Sequence, residues 1–125
     1  MKYLGVDFGL KRIGLAASEG ELASPWQVIE INNTNDGLSK IFKVIKEEVF
    51  EKVIVGQPEG KIGLVVGKFI QGLKNSGFDV DSIDEHLTTR DATSLMLKMG
   101  IPKKKRQVKD AYSAALILQS YLDSK

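Results

Sequence analysis

Tyr3-Leu4-Gly5-Val6-Asp7-Phe8-Gly9-Leu10-Lys11-Arg12-Ile13-Gly14-Leu15-Ala16-Ala17 is the stretch that decides the fold. Tyr3 to Phe8 is a short apolar run suited to a buried strand, the breaker Gly9-Leu10-Lys11-Arg12 turns the chain, and Ile13 to Ala17 is apolar again. The two runs read as a β-hairpin. A third strand is expected at Trp26 to Ile31, after Pro25 and before the turn-rich Asn32-Asn33-Thr34-Asn35-Asp36-Gly37.

Beyond the hairpin the period changes. Leu38, Ile41, Phe42, Ile45 and Val49 recur at the spacing that lines one face of an α-helix. Val53-Ile54-Val55-Gly56 is apolar on both faces, as a central parallel strand is. Ile62, Val65, Val66, Phe69, Ile70 and Leu73 form a second helical stripe that stops at Asn75-Ser76-Gly77. Phe78 and Val80 alternate with Asp79 and Asp81, the pattern of a half-exposed strand near a sheet edge. Thr88 and Asp91 resemble a capping box that opens a helix with Ala92, Leu95, Met96 and Met99 on its face, ended by Gly100 and Pro102. A last helix is expected from about Val108 to Leu122, with Ala111, Ala114, Ala115, Leu118 and Leu122 inward.

Three strands, an αβαβ segment and two helices imply an α/β fold, a mixed five-stranded sheet with helices on both faces, because each crossover returns its amphipathic helix onto the sheet. Ligands in such sheets sit at the carboxyl ends of the parallel strands. The 125 residues are expected to form a single domain over 1–125, since 42% apolar content suffices for one ordinary core. With no cysteine, a disulfide scaffold and a Cys-ligated zinc site are excluded, and a reducing compartment is expected. No apolar run approaches the roughly 18 residues that span a bilayer, and the chain runs from Met1 straight into a strand, so the expected location is cytoplasmic.

Acids from separate segments arrive at the expected ligand edge. Asp7 ends the first strand on the face of Tyr3 and Gly5, where Gly5 is expected to leave open space. Asp84-Glu85 closes the last strand, and Asp110 stands near the start of the final helix, about 80° from the centre of its apolar stripe. Taken singly, each has an ordinary explanation as a turn cap, a solvated strand end or a helix-dipole partner. Taken together, carboxylates so close require neutralising cations, and hard oxygen donors select Mg2+ or Mn2+. Two such ions roughly 4 Å apart would activate water and stabilise the leaving oxygen of a phosphodiester.

Four segments, in order, carry a family resemblance: Val6-Asp7-Phe8-Gly9-Leu10-Lys11-Arg12-Ile13-Gly14; Val55-Gly56-Gln57-Pro58; Asp84-Glu85-His86-Leu87-Thr88-Thr89; and Lys103-Lys104-Lys105-Arg106 with Asp110 through Gln119. They resemble the YqgF family, compact bacterial proteins of RNase H-like fold described as pre-16S rRNA nucleases and historically as Holliday junction resolvases. The resemblance covers nearly the whole chain. It implies that Asp7, Glu85 and Asp110 are the acidic metal-binding and catalytic positions, with pre-rRNA rather than branched DNA as substrate. This sequence departs from the family pattern at His86, where arginine is common, and at Gln57 with the short Glu59-Gly60-Lys61, where leucine and a longer loop are usual.

Net charge is only +2, yet Lys98, Lys103, Lys104, Lys105, Arg106 and Lys109 fall between Asp91 and Asp110 with no acid among them. Lys103, Lys104, Lys105 and Arg106, together with Lys11 and Arg12 of the hairpin, are the candidate nucleic-acid contacts. Trp26, Tyr112 and Tyr121 are read as packing rather than base-stacking residues. Two other classes remain open. Asp7-x-Gly followed by Gly14 also resembles the phosphate-binding hairpin of the actin and sugar-kinase group, although that group closes two such domains around ATP. A non-catalytic nucleic-acid-binding or ribosome-assembly factor would differ in being indifferent to Asp7→Asn.

Overall fold

The computed structural model of the chain describes residues 1–84 and 106–124. Strands β1 (Tyr3–Phe8), β2 (Arg12–Ser18) and β3 (Ser24–Glu30) come first. Helix α1 (Thr34–Glu48), strand β4 (Lys52–Gln57), helix α2 (Lys61–Asn75), strand β5 (Val80–Asp84) and helix α3 (Arg106–Asp123) follow. The expected helix from Thr88 to Gly100 lies outside the described residues.

The strands form one five-stranded sheet in the order β3-β2-β1-β4-β5. The tight turn after Phe8 returns β2 antiparallel to β1, and β3 again pairs antiparallel with β2. The α1 and α2 crossovers return β4 and β5 parallel, with Val6 opposite Val55 and Gln57 opposite Asp84. The sheet is therefore mixed, as the sequence implies.

Strand alternation divides the core. Leu4, Val6 and Phe8 of β1 point to one face, where Ile41 and Ile45 of α1 and Val66, Phe69 and Leu73 of α2 cover them. Tyr3, Ala16 and Ile54 belong to the opposite face, covered by Ala114, Ala115, Ile117 and Leu118 of α3. All four residues from Val53 to Gly56 are buried, as a strand clad on both sides requires.

Three local expectations change. The third strand starts at Ser24 and includes Pro25, opposite Ala16 beside a register irregularity of an edge strand, where proline is tolerated. The polar stretch from Asn32 to Gly37 is largely the first turn of α1 rather than a loop. The Asp36 N–H donates to Asn33 Oδ1 at 2.8 Å, while Asp36 Oδ2 accepts from the Asn32 N–H at 2.8 Å, a reciprocal cap. Val49 leaves the apolar face of α1: it is the C-cap, left-handed at φ 56° and ψ 49°, and 71% exposed. This reversal delivers Phe50 into the core, its N–H donating to the Ile45 carbonyl at 3.1 Å.

The end of the sheet where the parallel strands begin is held by a charged clamp. Lys52 Nζ lies 3.0 Å from Asp81 Oδ2 and 3.6 Å from Asp79 Oδ2, and the Tyr121 hydroxyl of α3 donates to Asp81 Oδ2 at 2.9 Å. Tyr121 in turn meets Tyr3 edge-on at 6.2 Å. Lys52, then Tyr121, hold the Asp81 carboxyl below its ordinary range, and Asp81 holds the Lys52 ammonium above its own.

The left-handed Val49 and the Asp81 clamp can each be tested. A β-branched residue in the left-handed region is strained, and the Val49 side chain is exposed, so its removal leaves the core packed as before. Val49→Gly is therefore expected to raise unfolding stability by roughly 1 kcal/mol in urea titrations. The depressed Asp81 carboxyl stabilises the fold above the unfolded aspartate value of about 3.9 and loses that contribution as pH falls through the lower, folded value. Because the pair is partly exposed, the stability gap between the unaltered chain and Asp81→Asn should be about 1 kcal/mol or less at pH 6. It should close as the pH is taken down toward 3.

Candidate functional site

The site begins with register. Asp7 lies opposite Gly14 on β2, and it shares with Tyr3 and Gly5 the face that α3 covers. The space expected beside Gly5 is not open. A Cβ there would stand 2.7 Å from the Ala114 carbonyl oxygen and 2.7 Å from Leu118 Cβ, so the absent side chain is what admits the helix. Gly14 does the same one strand over, where a Cβ would fall onto the backbone of Asp110 and Ala111. The first turns of α3 thereby come down beside the carboxyl end of β1.

Asp7 and Asp110 consequently line one cavity, about 240 Å3 and open to solvent, together with Gly9, Leu10, Lys11 and Arg12. Both acids are half-buried. The hairpin that forms the other wall is braced twice: the Gly9 N–H donates to the Arg12 carbonyl at 2.9 Å, and the Ile31 N–H to the Lys11 carbonyl at 2.9 Å. Arg12 Nε stands 3.3 Å from Asp110 Oδ2. The contact is an ion pair, and a guanidinium with five N–H donors and a carboxylate with two oxygens can each also engage a ligand.

Of the acids singled out in the sequence, the structure brings Asp7 and Asp110 together, with Lys11 and Arg12 beside them. Glu85, His86, Lys103, Lys104 and Lys105 lie outside the described residues, and Arg106 is the first residue of α3. Among the described residues no group of three or more His, Cys, Asp or Glu is placed to hold a metal ion. The two carboxylates that line the cavity fit a hard divalent cation in kind, being oxygen donors with no sulfur or imidazole among them. Trp26 packs its ring against Phe50 at 5.7 Å and Tyr121 serves the clamp, in keeping with packing roles.

The contribution of Gly14 is the feature that residue-type reasoning overlooked. A signal for it exists: Gly5, Gly14 and Ala16 put small residues on one sheet face, and Ala111, Ala114 and Ala115 put small residues on the helix that meets it.

The strand order, the helices on both faces and the acids at the carboxyl edge define an RNase H-like α/β protein. Solved structures agree on the fold. Thermus thermophilus RuvC in complex with a Holliday junction substrate superposes with a TM-score of 0.66 at 16% identity, covering 99% of this chain and 96% of that one. The fowlpox virus resolvase in complex with Holliday junction DNA superposes at 0.70 and 14%, covering 99% and 98%. At the level of sequence, residues 1–124 match the family model RuvX, described as Holliday junction resolvase. Relatives carrying the name "Putative pre-16S rRNA nuclease" include one from Endomicrobium trichonymphae, 35% identical, covering 98% of this chain and 95% of the relative. Another from Bacillus mycoides is 34% identical over the full length of both. The chain belongs to the RuvX family, the YqgF family of the sequence motifs.

The helix docking yields a direct test. Gly14→Ala should destabilise the chain by about 1–3 kcal/mol through forced separation of α3 from β2. Gly20→Ala, where an added Cβ meets nothing within 4 Å, should stay within about 0.5 kcal/mol of the unaltered chain. Urea midpoints of the two variants, compared at equal m-value, make the measurement.

Proposed function

We propose that the chain is a hydrolase, a divalent-metal-dependent nuclease that cuts phosphodiester bonds in structured RNA and matures the 5′ end of pre-16S rRNA in the cytoplasm. The observation that carries the reading is the convergence of Asp7 and Asp110, 103 positions apart in sequence, on one cavity at the carboxyl edge of an RNase H-like sheet. Glu85 is assigned as the third acid. The family resemblance carries that assignment; Ile83 packs in the α3-side core and Asp81 touches Tyr121 of α3, so strand alternation turns Asp84 to the opposite face.

In this reading Asp7, Glu85 and Asp110 hold Mg2+ or Mn2+, which when bound supplies an activated water and charge stabilisation at the leaving oxygen. The protein's own groups do the rest. Arg12 and Lys11 draw the phosphate backbone to the rim of the acidic cavity, and the basic run Lys103, Lys104, Lys105 and Arg106 supplies further phosphate contacts. The rRNA substrate is preferred because the relatives named for it match along nearly the whole chain, whereas the junction-bound proteins share only the fold at 14–16% identity. The family description favours branched DNA as the second reading.

Asp7→Asn is expected to lower cleavage at least a hundredfold while the thermal midpoint moves by no more than a few degrees. The assay incubates the unaltered chain with Mg2+ or Mn2+ on a pre-16S rRNA fragment, a four-way DNA junction and ATP. Cleavage of the RNA, its loss in EDTA and its loss in the variant support the proposal. Cleavage of the junction alone establishes the second reading, and turnover of ATP alone or activity indifferent to Asp7→Asn overturns the nuclease.

A further inference from the structure

A second groove adjoins the acidic cavity. It measures about 520 Å3 and is lined by Lys11, Arg12, Glu30, Ile31, Asn32 and Lys40, so Lys11 and Arg12 form the wall that both spaces share. We propose that this groove is a subsite for the backbone phosphate next to the scissile one, held by Lys11, Arg12 and Lys40 with the Asn32 amide beside them. The proposal rests on the nuclease reading above and adds a substrate contact on β3 and α1 that the family motifs of this sequence do not contain.

Lys40 is the informative residue. Its ammonium donates to the Glu30 carbonyl oxygen at 2.7 Å and pairs with Asp36 Oδ2 at 3.1 Å. Two acceptors for three N–H donors fix a cation at the groove wall and leave one donor for a ligand. A lysine held this way has less side-chain entropy to lose on binding than one free in solvent. Across the groove, the main chain of Lys11 is anchored by the Ile31 N–H, one residue past β3, so the two lysines are carried on a braced frame. Arg12 approaches Asp110 through Nε, and its guanidinium carries further N–H donors that a phosphate can engage while the ion pair persists.

The N-terminus of α1 is not the anion site. The Asn33 side chain takes the Asp36 N–H of its first turn, and the Asp36 carboxylate places a negative charge there, so the attraction comes from side-chain cations. The lining holds Lys11, Arg12 and Lys40 against Glu30; Asp36 pairs with Lys40 and Asp110 with Arg12, while Lys11 has no ion-pair partner among the described residues, so a phosphate is drawn first to Lys11 with Lys40 beside it. Since the groove and the acidic cavity share a wall, one nucleic-acid strand can lie across Lys11 and Arg12 with successive phosphates on either side.

The test measures binding of a short fluorescein-labelled single-stranded RNA to the full-length chain by anisotropy across a potassium chloride series in EDTA. Lys40→Ala is expected to weaken binding several-fold and to reduce the magnitude of the slope of log affinity against log salt by about 0.7, one phosphate contact on a single strand. Lys40→Arg should restore the slope. Lys43→Ala, on the same helix and paired with Glu47 outside both cavities, should leave it unchanged. In the cleavage assay, replacing the flanking phosphate of the substrate by a methylphosphonate should raise KM for the unaltered chain and have little further effect on Lys40→Ala. A slope for Lys40→Ala equal to that of Lys43→Ala, with cleavage intact, overturns the groove alone. Absence of any RNA binding by the unaltered chain overturns the groove and the nuclease reading together.

Discussion

The close approach of the last helix to the first hairpin is the constraint on which the molecule depends. Gly5 and Gly14 present bare backbone to α3, and Ala111, Ala114 and Ala115 return small side chains, so helix and sheet meet with almost no spacer between them. Larger residues at either glycine would lift the helix and carry Asp110 away from Asp7. At the other end the same helix is held by polar contacts: Gln119 accepts from the Ala23 N–H at 2.9 Å and donates to the Glu21 carbonyl at 2.9 Å, while Tyr121 donates to Asp81. Packing thus sets how near α3 stands, and hydrogen bonds limit how far it can slide or turn.

This division explains why the two faces of the sheet are built so differently. The α1 and α2 side is filled with large groups, among them Phe8 and Phe69 with ring centroids 4.7 Å apart, and supplies most of the apolar burial. The α3 side buries smaller groups and carries Asp7 at its carboxyl edge. A bulky core there would fill the space in which the acids and a ligand must meet.

What was legible in the sequence is whatever periodicity controls. Val53 to Gly56 as a doubly clad strand, the α2 stripe through Leu73 and the edge position of the Val80 strand all follow from counting apolar positions, because burial repeats with the backbone. Local hydrogen bonding is harder to read. Asn33 and Asp36 have the composition of a turn, and the same side-chain-to-backbone bonds that close a turn also cap a helix, so the first turn of α1 passes for a loop. Val49 continues the helical pattern in type, yet the need to bury Phe50 reverses the chain one residue sooner. Asp7 and Asp110 were identifiable as acids at element ends, but the close approach that joins them depends on backbone register opposite Gly14, which residue type alone does not encode.

The charges at the site solve a problem that any acidic centre acting on a polyanion faces. Asp7 and Asp110 would repel a phosphate if they met it bare. Lys11 and Arg12 stand in the same lining, so the formal charge around the acidic cavity balances, and the neighbouring groove adds Lys40, itself paired with Asp36, and Glu30. On the proposed function, a phosphate chain would meet Lys11 and Arg12 at the shared wall and a cation would meet the two carboxylates. Arg12 marks the boundary: through Nε it neutralises Asp110, and its remaining donors lie on a residue that also lines the basic groove. In the proposed function this one side chain would stand between the acid and the polyanion, which a simple cluster of acids at a sheet edge would not provide.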